Sequence, residues 1–361
     1  MAEERSVEYL QLMEGFDTSL TRKPLGSGVA LSETDLWNDA WSMQNGIKDQ
    51  HVLAKDLFVS TAVDPLGQVV PVLEVAGKPY LFTSTAFAQL AEKSGAGVTS
   101  YLKKCITNKL THLVSLNLNA WLAKQGDTPL MLRLHEGSVI AVLSSKYGVF
   151  DHGDALDSLA DALDRFDGGT YDIEAYSLTL DNMNVRLVDT EGVVLTDGSY
   201  GRDTTTAGLI FRNGQTGRSY ASIEFLLFTF ACTNGLIVSQ DRGMVYRRRH
   251  ISIGKADFRD AVLNALEQFP GYVTAARESI DKAREVRLAP SQKDLLMTQV
   301  QRDLVLSDET VQDVFLTMEN KWDSNAWGLA GAITEVAQQF SAERQYQFEK
   351  YAGELMERLA A

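Results

Sequence analysis

Long apolar runs are missing from this 361-residue chain. A membrane-crossing helix needs about 20 mainly apolar residues, and the richest window, Ile223–Ala231, is shorter and contains Glu224. The opening MAEERSVEYL is acidic and polar, with no apolar signal region. The expectation is a cytoplasmic protein with no membrane partner. Cysteine is scarce as well: Cys105 and Cys232 stand far apart without a CxxC companion, so free thiols in a reducing compartment are expected. Histidines 51, 112, 135, 152 and 250 are scattered, without the short spacing of zinc ligands, and neither a metal nor a cofactor is expected. The chain has no GxxxxGK[ST], GxSxG or HExxH, and GSGVAL at 26–31 lacks the third glycine of a dinucleotide fingerprint. Nucleotide hydrolysis, serine hydrolysis and zinc deamination therefore have no basis in the sequence.

What is present begins with charge. The formal net charge is −14, which argues against promiscuous nucleic-acid binding. The charge is uneven, however. Residues 151–200 hold 12 acidic and 2 basic side chains, whereas 202–255 hold 8 basic and 3 acidic. A basic face can be aimed at an anion by an acidic molecule, and two opposite faces can also attract each other.

Hydrophobic periodicity predicts an α+β protein: a hairpin-rich, mainly antiparallel sheet body with packed helices, followed by a helical C-terminal region. Residues 1–50 read as a weakly structured segment, with a short helix beginning near Ser32. Residues 51–255 read as the α+β core, and 256–361 as helical. Strands are expected at His51–Val63, Val69–Val75, Ile173–Thr179, Asn184–Asp189 and Ala207–Arg212, with a hairpin turning at Glu136–Gly137–Ser138. Asn213–Gly214 and Asn234–Gly235 are further turn signals. Around Gly95 two short helices have the outline of a helix-turn-helix, the second carrying Lys103, Lys104 and Lys109. A helical hairpin packed on a sheet explains the same pattern. In DALDSLADALDRF, Asp154, Asp157, Asp161 and Asp164 form a stripe that reads as a solvated helix face. From Asp257 onward helices are expected at Phe258–Phe269, Tyr272–Val286, Ser291–Arg302, Glu309–Met318 and along the C-terminal stretch.

Candidate chemistry concentrates in CTNGLIVSQDRGMVYRRRH, Cys232–His250. A thiolate needs a nearby cation or helix N-terminus. Cys232 follows LLFTFA, so it reads as a core residue rather than a nucleophile partnered by His250 or His152. Strand alternation places Arg247 and Arg249 on one face, and Arg248 and His250 on the other. With Arg212, Arg218, Arg242 and Lys255 they make a basic ribbon in which Tyr220 and Tyr246 are interleaved. Guanidinium forks suit phosphates, and aromatic rings stack bases of single strands. The same arginines can instead pair with the carboxylates of 151–200, and both readings stay open.

The ordered motifs LTHLVSLNLNAWL, LRLHEGSVIAVLSSKYGVFDHGDAL, IFRNGQTGRSYASIEFLLFTFACTNGLIV, RGMVYRRRH and WGLAGAITEVA resemble a phage- and plasmid-associated family of unknown function, domain-of-unknown-function family 932, over about residues 80–340. Two departures stand out. The usual arginine of the first motif is replaced around Val139–Ile140, and an N-S-E-x-G segment reads Asn213–Gly217. The resemblance implies a role in mobile-element DNA metabolism, and a ring-forming single-strand annealing protein suits the architecture. The expectation is a non-enzymatic homo-oligomer that binds single-stranded DNA. The alternatives are an assembly protein that meets a host or phage protein through its acidic face, and a helix-turn-helix regulator.

Overall fold

The computed structural model describes residues 33–64, 67–169, 171–189, 205–229, 234–237, 244–251 and 253–361. Helix α1 (Glu33–Gly46) leads into strands β1 (Ile47–Leu53), β2 (Phe58–Val63), β3 (Val69–Val75) and β4 (Lys78–Phe82). Helices α2 (Ser84–Lys93), α3 (Thr99–Thr107) and α4 (Thr111–Gln125) follow, then β5 (Pro129–His135) and β6 (Ser138–Ser144). These six strands form one sheet in the order β1-β5-β6-β4-β3-β2, antiparallel except where β4 meets β6. The run expected as a single strand, His51–Val63, is divided between opposite edges of this sheet. A 3₁₀ turn at Ala54–Asp56 separates the halves, because the amides of Ala54 and Lys55 donate to Thr128 and Gly126 carbonyls at 2.9 and 3.0 Å.

Local chemistry explains the other elements of this sheet. The β5–β6 turn falls where expected, with Glu136 and Gly137 at φ of 45° and 82°, the left-handed pair that suits the right-handed twist of a hairpin. Thr83 caps α2 by accepting from the Ala86 amide at 3.1 Å. The helix then buries Phe87 and Leu90 with Leu102 of α3 and Leu118 of α4 against Leu73, Leu132 and Val142.

After helix α5 (His152–Arg165), strands β7 (Tyr171–Leu178), β8 (Met183–Asp189), β9 (Thr205–Asn213), β10 (Ala221–Thr229) and β11 (Asn234–Ile237) form a second, antiparallel sheet. Strand β12 (Met244–Arg248) also pairs with β10. Asn234–Gly235, expected in a turn, already lies within β11 opposite Thr229 and Phe228. Five helices complete the chain: α6 (Lys255–Glu285), α7 (Pro290–Leu304), α8 (Asp308–Lys321), α9 (Ala326–Ala337) and α10 (Ala342–Ala360). Their apolar residues share one core with the second sheet and with α1 and α5; Leu209, Phe225, Val262, Ile333 and Phe348 all belong to it. The architecture is thus mixed α+β, with two mostly antiparallel sheets and a helical C-terminal region. No helix among the described residues is long and apolar enough to cross a membrane.

The break expected at Pro270–Gly271 does not occur, and α6 runs 31 residues through Pro270. Tertiary packing overrides the local signal: Phe269, Tyr272 and Val273 are buried around the proline, and Tyr272 stacks on Phe225 at 4.0 Å and 12°. Pro270 itself is exposed and forfeits a helical hydrogen bond. Pro270→Ala is expected to raise stability by up to about 3 kcal/mol, read as a higher urea midpoint; a lower midpoint would contradict the continuous helix.

Candidate nucleic-acid interface and the polar junction behind it

The two sheets meet at a buried charge centred on Arg133. It sits in the middle of LMLRLH on β5, where flanking leucines hold it in the interior with its side chain 1% exposed. Burial alone would lower the guanidinium pKa. Hydrogen bonds and charge from Asp151, and then Asp49, outweigh that cost and push its pKa above the ordinary arginine value. Nε donates to Asp49 Oδ1 at 2.8 Å and Nη2 to Asp49 Oδ2 at 3.3 Å. Nη1 and Nη2 reach Asp151 Oδ1 and Oδ2 at 2.5 and 2.8 Å, and Nη1 also donates to the Gln215 carbonyl at 2.7 Å. These contacts use all five donors of an arginine. One side chain therefore clamps β1, the entrance of α5 and the β9–β10 turn together.

Two histidines line the same junction. His152 Nε2 lies 3.0 Å from the Thr179 carbonyl and Nδ1 lies 3.2 Å from Asn213 Nδ2. That pattern assigns the proton to Nε2, with Nδ1 accepting. His250 stacks on Tyr147 at 5.3 Å and 3°, and its carbonyl accepts from the Gly148 amide at 2.8 Å. Its two ring nitrogens have no hydrogen-bond partner among the described residues. Burial, opposed by the Thr179 bond and aided by His250 and Arg133, pushes His152 down to about 3. Burial and then Arg133 push His250 down to about 4.

Both histidines are therefore neutral at pH 7, and the sign of the pH effect follows. The ordinary value is about 6.5, so below it the unfolded chain binds protons that the folded chain refuses. Their contribution is complete above pH 6.5. It declines as pH falls toward the folded values, on the order of 2 kcal/mol per histidine by pH 5. Urea midpoints are expected to fall from pH 7 to 5, and His250→Phe, which keeps the stack on Tyr147, is expected to flatten the slope. An unchanged slope in that variant would contradict the assignment.

The basic ribbon lies beside this junction, since the arginine run ends at His250. Register pairs Ser222 with Arg247 and Ala221 with Arg248. Alternation then separates the side chains as expected. Arg248 turns toward α6, 3.5 Å from Asp257, and Tyr246 packs on Phe258 at 5.9 Å. Arg247 and Arg249 lie exposed on the other side. Their Cζ atoms sit 4.0 and 5.7 Å over the Tyr220 ring, and Arg249 Nε donates to the Tyr220 hydroxyl at 3.4 Å. That bond and the Arg249 charge lower the Tyr220 pKa from its ordinary value.

The remaining ribbon residues are placed differently. Arg212 is turned inward, donating to Asn184 Oδ1 at 2.7 Å and to Glu343 Oε2 at 2.6 Å. Lys255 pairs with Asp154 and Asp157 at 2.8 and 3.3 Å. Arg218 is exposed near the start of α2, 3.2 Å from Thr85 Oγ1 and 3.9 Å from Asp181. Arg242 and Cys232 lie outside the described residues. Carboxylates from 151–200 thus meet Lys255 and, at longer range, Arg218, whereas Arg212 and Arg248 take partners from the helical region.

The acidic stripe on α5, expected to be a solvated face, keeps Asp164 exposed, while Asp154, Asp157 and Asp161 remain partly exposed and pair with Lys255 and Arg259 of α6. Asp157 also accepts from Trp41 Nε1 at 3.4 Å, and Asp161 meets Arg165 and Arg259 at 2.9 and 3.4 Å. Among the described residues no group of three or more His, Cys, Asp or Glu side chains is placed to hold a metal ion. The junction residues Arg133, Asp49 and Gln215 were not singled out from the sequence. The available signal was a lone arginine inside an apolar strand, because a buried charge demands partners.

A family model described as a domain of unknown function (DUF932) matches residues 139–356. The match begins in β6, so β1–β5 and α1–α4 precede it, and it starts later than the motif resemblance suggested. It spans Tyr147, Asp151, His152, Asn213, Gln215 and His250 of the junction and Tyr220, Arg247 and Arg249 of the rim. No curated protein and no solved structure matches the chain.

Proposed function

The chain belongs to the family described as a domain of unknown function (DUF932), and for this member we propose that it binds single-stranded DNA without catalysis, in the cytoplasmic DNA metabolism of a phage or plasmid. The observation that carries this reading is the pair of exposed guanidinium groups, Arg247 and Arg249, held over the ring of Tyr220. Stacking orients a guanidinium plane while leaving its donor edge for a phosphate. The ring and the guanidinium planes are surfaces on which bases stack without regard to sequence. Arg218 extends the rim at the far end of the β9–β10 turn. Such a local positive edge works on an acidic molecule because screening confines distant charges to about 8–10 Å. The acidic-face reading is weakened by the pairing of Asp154, Asp157 and Asp161 with Lys255 and Arg259.

Fluorescence anisotropy with labelled oligonucleotides at low salt tests the proposal. Single strands are expected to bind with little sequence preference, and absence of binding would end the reading. Binding confined to duplexes would transfer the site to α2 and α3, with Lys103, Lys104 and Lys109. The proposal also includes a homo-oligomer, checked by light scattering with and without the oligonucleotide: a mass that stays at one chain in both conditions contradicts it.

A further inference from the structure

The second sheet has two unlike faces. One buries Leu187, Leu209, Phe211 and Phe225 in the main core. On the other, among the described residues, a small buried apolar cluster joins Ile210 and Leu226 to Tyr346 of α10. Beside Ala175 and Val188, that face carries charged and polar side chains. Arg186 meets Glu349 of α10 at 2.7 Å, both side chains under one-tenth exposed. Glu224 accepts from the Tyr346 hydroxyl at 2.7 Å and lies 3.7 Å from Lys350.

Cross-strand register makes the outer row of this face continuous. Asn184 lies opposite Arg212, Arg212 opposite Ser222, and Ser222 opposite Arg247. The row therefore runs from an inward arginine, through a serine, to an exposed arginine on a single side of the sheet. Each arginine is stacked on a tyrosine: Arg212 Cζ lies 3.6 Å over Tyr346, and Arg247 Cζ lies 4.0 Å over Tyr220. Besides exposure, the two ends differ in one contact. Over Arg212 stands the carboxylate of Glu343, in the first turn of α10, at 2.6 Å.

We infer that Arg212 and Arg247 are the two ends of one phosphate-binding row, and that Glu343 occupies its inner end in place of a phosphodiester. The inference rests on the single-stranded DNA reading above and adds the extent and regulation of that site. Glu343 is suited to being displaced, because its side chain is 45% exposed whereas Arg212 is 11% exposed. When the carboxylate leaves, Asn184 and the Tyr346 ring still hold the guanidinium in place. The deeply buried Arg186–Glu349 pair keeps α10 docked meanwhile. Contact with DNA thus starts at Tyr220, Arg247 and Arg249 and lengthens inward when a phosphate replaces Glu343.

The test measures binding of a labelled oligothymidine by the full chain carrying Glu343→Gln. Affinity is expected to rise three- to tenfold at low salt, and the plot of log affinity against log salt to steepen by roughly 0.7, one added phosphate contact on a single strand. Adding Arg212→Gln is expected to remove the gain, whereas adding Arg212→Lys, which keeps the charge, is expected to retain part of it. Circular dichroism confirms that each variant is folded. If Glu343→Gln binds like the parent while charge reversal at Arg247 and Arg249 abolishes binding, the row is overturned and the rim site stands. If the gain persists with Arg212→Gln, general charge removal explains it and the inference falls. If the parent and Glu343→Gln both fail to bind, the DNA reading and the inference fall together.

Discussion

Arg133→Met is expected to lower stability at pH 7 by about 3–5 kcal/mol, the usual cost of breaking a buried pair by deleting one partner. The methionine fills much of the aliphatic volume, so the loss isolates the charge. Asp49 and Asp151 would then face each other with their cation gone, beside a Gln215 carbonyl that has lost its donor. Repulsion between the two uncompensated carboxylates would add to the loss. Arg133→Lys is expected to recover little, because an ammonium group offers three donors from a point and cannot grip two carboxylates side by side. Urea unfolding of the three proteins at pH 7 checks this, and a loss below about 1 kcal/mol for the methionine variant would show that the clamp adds little.

Charge reversal at Arg247 and Arg249 together is expected to reduce affinity for single-stranded DNA on the order of 100-fold at low salt, because phosphate contacts dominate such binding. Fold stability is expected to change by less than about 0.5 kcal/mol, since both side chains are exposed and their side-chain contacts are with the ring and hydroxyl of Tyr220. Tyr220→Ala is expected to weaken binding by about 1–3 kcal/mol, the range for an aromatic ring that stacks a base. The two effects differ in salt dependence. Loss of the arginines removes charge contacts and flattens the salt response, whereas loss of the ring lowers affinity by a similar factor at all salt concentrations. If Tyr220→Ala leaves affinity unchanged, the ring serves only to seat the arginines.

Much of the fold is legible in local sequence because the responsible interactions are local. Glu136–Gly137 form the expected turn, Thr83 caps the expected helix, and the alternation of Val-Tyr-Arg-Arg-Arg separates Arg247 and Arg249 from Arg248. Pro270 shows the limit of such reading. Its local signal is a break, but Phe225, 45 residues upstream, packs on Tyr272 and keeps the helix continuous. Partner choice among charges is less legible still. Arg212 is separated by 131 residues from Glu343, and Arg186 by 163 from Glu349. No periodicity encodes either pairing, which arises only when α10 docks on the second sheet. The junction is the same case: Asp49, Arg133, Asp151 and Gln215 come from four segments, and only the lone arginine in LMLRLH hinted at it.

The most direct measurement is a salt titration of single-stranded DNA binding by the parent and by the Arg247→Glu, Arg249→Glu variant, side by side. With Arg218, Arg247 and Arg249 each meeting one phosphate, log affinity for the parent is expected to fall against log salt with a slope of about −2, at roughly 0.7 per contact. The variant is expected to bind far more weakly, with a slope shallower than about −1. Equal slopes and equal affinities in the two proteins, or no binding by the parent at low salt, would contradict the rim of Tyr220, Arg247 and Arg249 as the nucleic-acid site.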